Sequence, residues 1–297
     1  MVRTMIKRRI RRSIRSGVAT FALAAVVSAA DFEVDFPAVK DGRPCHSVAV
    51  PAEDGTLLVA VVLSGADASQ PVLKSGGEPV PVKVIGHDPV SRLCFMRPES
   101  PVTPGKLSWE RKTPASPGIE LVSGSQRART SGWVKQVGTK VLPLALLHVN
   151  FDGQVPAPGS PLLTARGQLA AVVFQQVSGA NSAYALPVEA LHRVRRDVVK
   201  SGDLVRGWLG LSLRAEIPTP QVTRVAVGSP ADKVGIRAND VILQIGERAV
   251  ADYADSANAF FYLAPGEPVK IRLLRGADSI EVVVTPVEAP AREGAAR

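Results

Sequence analysis

The chain has little of what most enzyme active sites are built from. Its 297 residues include four histidines and two cysteines, scattered rather than set at metal-ligand spacing. No glycine-rich phosphate loop or dinucleotide fingerprint occurs, so nucleotide-dependent chemistry is not indicated and no cofactor is implied. Aromatic residues make up only 5% of the chain. They do not interleave with a basic stripe beyond the N-terminus, so nothing points to nucleic acid. The main apolar run, Gly17 to Val27, is too short for a comfortable transmembrane helix.

The formal net charge of +9 is mostly an end effect. Seven basic residues (Arg3, Lys7, Arg8, Arg9, Arg11, Arg12 and Arg15) fall in the first fifteen positions, and residues 1–30 hold no acid. The rest carries 29 basic against 27 acidic residues, a charge of +2. A basic segment, then an apolar one, then Ser28-Ala29-Ala30 has the layout of an export signal. Residues 1–30 are therefore read as a signal peptide cleaved near Ala30, which places the mature chain in the periplasm or otherwise outside the cytoplasm. An uncleaved membrane anchor is the alternative. Export would allow Cys45 and Cys94 to form a disulfide; two buried thiols packing as small apolar residues are the other reading.

Beyond residue 31 the pattern is β. Val48–Val50, Leu57–Leu63, Val80–Ile85, Leu93–Met96, Glu120–Val122, Gly132–Val137, Val141–Val149, Leu169–Phe174 and Ala183–Ala185 are short runs rich in branched residues, bounded by Gly, Pro, Ser or Asp. Their number and spacing suggest barrels or a sandwich. From Pro187 the period changes: Val188, Leu191, Val194 and Val198 share one face of a predicted helix, and Ser201-Gly202-Asp203 reads as a hinge.

Three segments carry a resemblance. The first is Gly55-Thr-Leu-Leu-Val-Ala-Val-Val-Leu-Ser-Gly-Ala-Asp67. The second is Val82-Lys-Val-Ile-Gly-His-Asp88-Pro89-Val90-Ser91-Arg92-Leu93-Cys94-Phe95. The third is Leu146 to Leu163, ending Gly159-Ser-Pro-Leu-Leu. In order and spacing they resemble the His, Asp and Ser segments of HtrA/DegP-like trypsin-fold serine proteases. The resemblance implies a trypsin-like double β-barrel over residues 31–200. Allowing a one-residue gap, it places the general-base histidine on Val61 or a direct neighbour, the aspartate on Arg92 and the nucleophile on Pro158. The glycine two residues before the nucleophile falls on Pro156. A trypsin-type oxyanion hole uses the backbone N–H groups at those last two positions, and proline has none. All three triad positions are thus replaced and both oxyanion donors are missing. Ser160 is the one serine in the loop, but no histidine or aspartate stands at the partner positions to activate it.

The segment 201–290 resembles a bacterial-type PDZ domain, a β fold with two helices, ahead of a disordered tail at 291–297. Arg206-Gly-Trp-Leu-Gly-Leu211 resembles the carboxylate-binding loop. Ser229-Pro230 reads as a helix start, with Ser as N-cap and Pro in the first turn. Asp252 to Leu263 reads as the groove helix, and residues 269–274 and 280–284 as the closing hairpin. The resemblance implies capture of an extended peptide by strand addition. Its carboxylate would meet the amides of Leu209, Gly210 and Leu211, and its apolar last side chain a pocket near Trp208, Leu211, Phe260 and Leu263. Ordinary core packing is the alternative for these residues, and the favoured one for Leu263 and one of the two adjacent phenylalanines. Arg206 either adds charge for the carboxylate or stays solvated.

The expectation is an exported, mostly β, non-catalytic HtrA-like protein. It would bind peptides or unfolded proteins with apolar C-termini, as a scaffold or adaptor in envelope quality control. A residual serine endopeptidase and a regulatory subunit of an active HtrA-type protease are the alternatives. A homo-oligomer or an HtrA-type protease partner is consistent with the resemblance.

Overall fold

The computed structural model describes residues 32–40, 42–99, 102, 104–214 and 218–289. The signal segment 1–30 and the tail 291–297 lie outside them. The chain opens with seven strands: β1 (Phe32–Phe36), β2 (Cys45–Pro51), β3 (Leu58–Val61), β4 (Val72–Ser75), β5 (Glu78–Val80), β6 (Val82–Asp88) and β7 (Leu93–Pro98). They form one sheet in the order β5-β4-β1-β2-β3-β7-β6. Its two edge strands are consecutive in sequence, joined through Pro81, so the sheet must curl to accommodate them. The sequence reading begins at Val48 and misses β1, which lies inside the sheet between β2 and β4. Strict alternation explains the strand: Phe32, Val34 and Phe36 are buried while Glu33 points to solvent. Its acidic residues lower its apparent strand propensity.

Six further strands follow: β8 (Glu120–Ser123), β9 (Gln126–Val137), β10 (Lys140–Phe151), β11 (Pro161–Leu163), β12 (Leu169–Gln176) and β13 (Ser182–Pro187). They close into a barrel in the order β10-β13-β12-β11-β8-β9. Its interior holds Leu121, Leu147, Val149, Leu162, Val173 and their neighbours. Helix α1 (Val188–Ser201) buries the predicted stripe Val188, Leu191, Val194 and Val198. It packs them into a larger cluster with Val59, Val61, Phe95, Trp109 and Leu186 that lies between the sheet and the barrel. The helix ends at Gly202, whose N–H reaches the Val198 carbonyl at 2.8 Å.

The remainder is a small β unit with two helices: β14 (Gly207–Trp208), β15 (Leu211–Leu213), β16 (Val222–Val225), α2 (Pro230–Lys233), β17 (Val241–Ile245), β18 (Arg248–Ala249), α3 (Tyr253–Phe261), β19 (Val269–Arg275), β20 (Asp278–Val284) and β21 (Val287–Glu288). A four-stranded sheet β18-β17-β19-β20 carries the core, beside the pairs β15-β16 and β14-β21. The Ser229 cap expected from sequence forms, and Asp252, read as the start of its helix, caps it as well. Ser229 Oγ accepts from Asp232 N at 3.2 Å, and Asp252 Oδ1 accepts from Asp255 N at 2.7 Å.

This unit is anchored to the rest through α3. Phe261 leaves its own core and joins the cluster between sheet and barrel, where burial of a phenylalanine contributes about 2–3 kcal/mol. Lys135 of β9 pairs with Asp252 and Asp255 at 2.8 and 2.9 Å. Asn258 Oδ1 accepts from Ala145 N at 3.0 Å. Among the described residues no helix is long and apolar enough to cross a membrane.

Cys45 and Cys94 are both free. Strand register explains why. Cys94 pairs with Ala60, which pairs with Ala49, four residues along β2 from Cys45. Four residues along a strand and two strand spacings exceed the reach of a disulfide. Burial pushes the Cys94 thiol up to about 12.

Candidate functional site

Val61, Arg92 and Pro158, the positions that the resemblance pairs with a triad, are linked at one place. Val61 ends β3 and is 1% exposed. It pairs with Leu93 of β7, and the next amide, Val62 N, donates to the Arg92 carbonyl at 2.8 Å. Arg92 holds a positive φ of 57° in the turn before β7, and its guanidinium lies over the Phe174 ring at 4.8 Å. The Asp88 carboxylate shapes that turn by accepting from Ser91 N and Oγ at 2.8 and 2.7 Å. Pro158 faces Val61 from the other side through one hydroxyl. Buried Ser47 Oγ donates to the Pro158 carbonyl at 3.1 Å and accepts from Val61 N at 3.3 Å.

The loop that carries Pro158 is tied down by backbone bonds. Val48 N donates to the Pro158 carbonyl at 2.8 Å, Gly159 N to Val173 O at 2.7 Å and Ser160 N to Ala157 O at 3.1 Å. Pro156 and Pro158, both half-buried, have no N–H to offer an oxyanion. Ser160 is 7% exposed. Among the described residues no histidine or carboxylate side chain hydrogen-bonds its hydroxyl. The four histidines are engaged or placed elsewhere: His46 with Asp35, His192 with the Glu110 carbonyl, His148 against Tyr184, and His87 in β6. Arg92, at the position that the resemblance pairs with the triad carboxylate, carries the opposite charge, and among the described residues no imidazole is hydrogen-bonded to it.

The second candidate site is the loop from Trp208 to Leu211 with helix α3. Gly210 has φ +82°, and an added Cβ would fall 2.2 Å from Ser229 Cβ and 3.0 Å from the Trp208 ring. Only glycine fits this turn. Among the described residues the amides of Leu209 and Gly210 donate to no acceptor. Ala226 N donates to Gly210 O at 2.7 Å, which makes the next pair, Leu211 with Val225, a non-hydrogen-bonded one. The Leu211 N–H therefore turns away from β16 toward the open edge of β15. Two unpaired amides thus precede a third that faces an open strand edge, donors of the kind that a terminal carboxylate followed by an added strand requires.

The six residues named from sequence divide. Leu211 and Phe260 are half-buried and pack against the same core cluster, and Trp208 lies half-buried under the loop. Leu209 and Leu263 are 4% and 5% exposed and belong to the core itself. Leu209 offers its amide, and Leu263 supports the pocket from beneath. Tyr253 and Ala257, spaced i−7 and i−3 from Phe260, lie on the same helical stripe; they were not singled out from sequence. Arg206 follows neither expectation. It donates to buried Asp88 at 3.0 Å and lies 5.8 Å from the Phe261 ring, so it serves the junction between the units rather than the loop.

A larger cavity of about 840 Å³ lies on the other flank of α3, lined by Arg111, Lys112, Glu189, Glu247, Arg248 and Tyr262 among others. Its charges are mixed, and Glu189 is already bound by Thr113 at 3.0 and 2.7 Å. Among the described residues no cluster of side chains is arranged to hold a metal ion.

Residues 207–285 match the PDZ domain family. The chain is 28% identical over 243 residues to a probable periplasmic serine endoprotease, DegP-like, of Chlamydia pneumoniae, covering 73% of this chain and 50% of that protein. A protein of the same description from Brucella suis biovar 1 is 25% identical over 285 residues, covering 82% and 52%. The chain thus spans about half the length of these relatives. Among solved structures, the HtrA-type protease AlgW with decapeptide superposes with a TM-score of 0.62 at 17% identity, covering 91% of this chain and 99% of that one. The serine endoprotease from Yersinia pestis gives 0.55 at 17% identity, covering 88% and 95%. The fold is therefore mostly β, a trypsin-like unit followed by a PDZ domain. Domain match, sequence relatives and fold together make this chain similar to HtrA/DegP-like proteins with a C-terminal PDZ domain.

Proposed function

We propose that this protein is an exported, non-catalytic HtrA-like peptide binder. In this reading residues 1–30 direct export to the periplasm, 31–200 form a barrel unit without hydrolytic activity, and 201–290 capture apolar C-termini of unfolded or processed envelope proteins. One contrast carries the reading. The loop at 156–158 has a proline at each position where the resemblance puts an oxyanion donor, whereas at 209–211 two amides have no acceptor among the described residues and a third faces the open edge of β15. Loss of the triad costs many orders of magnitude in rate, and loss of the donors removes the residual stabilisation of the transition state. A relative of similar fold solved with a decapeptide supports peptide capture.

The relatives' description as endoproteases keeps a second outcome in the test. The full exported chain is incubated with unfolded casein and with a fluorophosphonate probe, then titrated with pools of decapeptides ending in Leu, Val or Phe. The expected result is no cleavage and no labelling, with binding on the order of micromolar, because a short flexible peptide must be ordered. Labelling that Ser160→Ala abolishes would overturn the non-catalytic reading. Unchanged affinity after amidation of the peptides would overturn carboxylate capture.

A further inference from the structure

We infer that Arg193 of α1 is a positioning residue for peptide capture: from inside the barrel unit it pins together the two chain segments that bound the carboxylate end of the PDZ groove. This deepens the groove reading above and rests on it. Arg193 lies on the helix that closes the barrel unit and is 5% exposed. Its Nη2 donates to two carbonyls of the other unit, Val205 O and Leu263 O, each at 2.8 Å. Its Nη1 donates to Asp197 one turn along α1, and the same carboxylate accepts Val205 N at 3.1 Å. One ion pair thus grips the linker residue Val205 by both its carbonyl and its amide.

The two carbonyls are placed where they matter. Val205 comes two residues before β14, which runs directly into the loop Trp208–Leu211. Leu263 lies two residues past the end of the groove helix α3. Carbonyls at a helix C-terminus lack intrahelical partners and carry the negative end of its dipole, so a guanidinium there is favoured. The Leu263 carbonyl also accepts from Gly207 N at 3.0 Å. At Gly207 an added Cβ would meet the Leu263 carbonyl carbon at 2.9 Å, so the loop and the helix end approach as closely as backbone allows. Arg193 therefore sits behind the point where the two walls of the groove converge. Among the described residues its Nε is buried without a partner, a cost that its other bonds must outweigh. Groups around it bear on its charge as well: Arg196 beside it pairs with Glu267 at 2.8 Å and contacts Asp197 at 3.4 Å.

The consequence is that capture is a property of the two-unit chain. A groove whose closed end is held rigid loses less freedom on binding a carboxylate. Releasing the clamp lets the loop amides diverge from the helix end while leaving every groove residue in place.

The test compares the full exported chain with Arg193→Lys and Arg193→Leu. Lysine keeps the charge beside Asp197 but has one nitrogen in place of a planar fork, so it cannot hold both carbonyls and the carboxylate in the same geometry. The probes are the decapeptide pools ending in Leu, Val or Phe and their amidated twins, with thermal melting and amide hydrogen exchange as further readouts. The expected result for Arg193→Lys is a folded protein whose affinity for the free-carboxylate pool falls about tenfold, the scale of one charge-assisted hydrogen bond. Exchange should accelerate at Val205 and Gly207, whose amides are bonded at the clamp, and leave the barrel strands protected. Wild-type affinity and unchanged exchange at Val205 and Gly207 in folded Arg193→Lys or Arg193→Leu would overturn the positioning role while the groove reading stands. A wild-type chain that does not distinguish free from amidated pools overturns the groove reading itself, and the positioning role with it.

Discussion

Two loops of this protein differ by one chemical group, the backbone N–H. The loop at Pro156–Ser160 and the loop at Trp208–Leu211 each cross the end of a β unit, and in the family each would present amides to an anion. In the first, two prolines remove the donors, and the remaining polar groups are satisfied internally through Ser47, Val48 and Val173. In the second, Gly210 holds a turn that only glycine fits, and the Leu209 and Gly210 amides have no acceptor among the described residues. On the proposed reading, the scaffold has lost one anion site and kept another without a change of fold. Backbone donors depend on local residue type, whereas the barrels depend on a distributed apolar pattern.

The sharpest way to break this comparison is to damage the second loop. Gly210→Val places a side chain on Ser229, and peptide binding should weaken about a hundredfold or more. Two amide bonds to a carboxylate are together worth about 3 kcal/mol or more. Titration calorimetry on the full chain checks this, with circular dichroism to confirm folding. The reciprocal change, Pro158→Ser, should restore a hydroxyl but no turnover, because Val61 and Arg92 still stand at the base and orienting positions; hydrolysis of a fluorogenic casein substrate is the readout.

The PDZ unit also depends on ionic support. Asp240 is 1% exposed and takes Arg275 through two bonds of 2.8 Å. Burial raises its pKa, but the Arg275 guanidinium and the Arg237 amide outweigh that and hold it below the usual carboxylate range. The folded state then binds the proton less tightly than the unfolded chain. Its contribution is complete above about pH 4 and fades as the pH falls below that. Asp240→Asn should cost about 2 kcal/mol at neutral pH, most of it recovered in relative terms under acid, where the wild type loses the same interaction. Thermal melts of both proteins at pH 7 and pH 3 test the sign.

Ser47→Ala probes the first loop more gently. It removes the hydroxyl that bridges Val61 and Pro158, and should cost about 1 kcal/mol without creating activity; urea denaturation measures it. The smallest effect concerns reactivity. Cys94, with its thiol pushed up to about 12, should resist a thiol reagent at pH 8 in the folded chain while the partly exposed Cys45 reacts. Equal labelling of both would show that the first sheet opens readily.

Much of this molecule is legible from the chain alone. The strand runs, the α1 stripe, the Ser229 and Asp252 caps and the hairpin turn after Arg275 follow from periodicity and capping chemistry, because they involve residues close in sequence. The strand β1 was missed since its acids mask the alternation of Phe32, Val34 and Phe36. The absent donors at Pro156 and Pro158 and the glycine at 210 are covalent facts, readable at sight. What only the tertiary structure decided is which polar groups meet. Arg206 reaches Asp88 across 118 residues, Arg193 reaches Leu263 across 70, and Lys135 reaches Asp252 across 117. No local pattern marks Arg193 as buried, because its place inside depends on a carbonyl at the end of a helix in another unit. Residue type sets which hydrogen bonds are possible; docking of the two units sets which of them form.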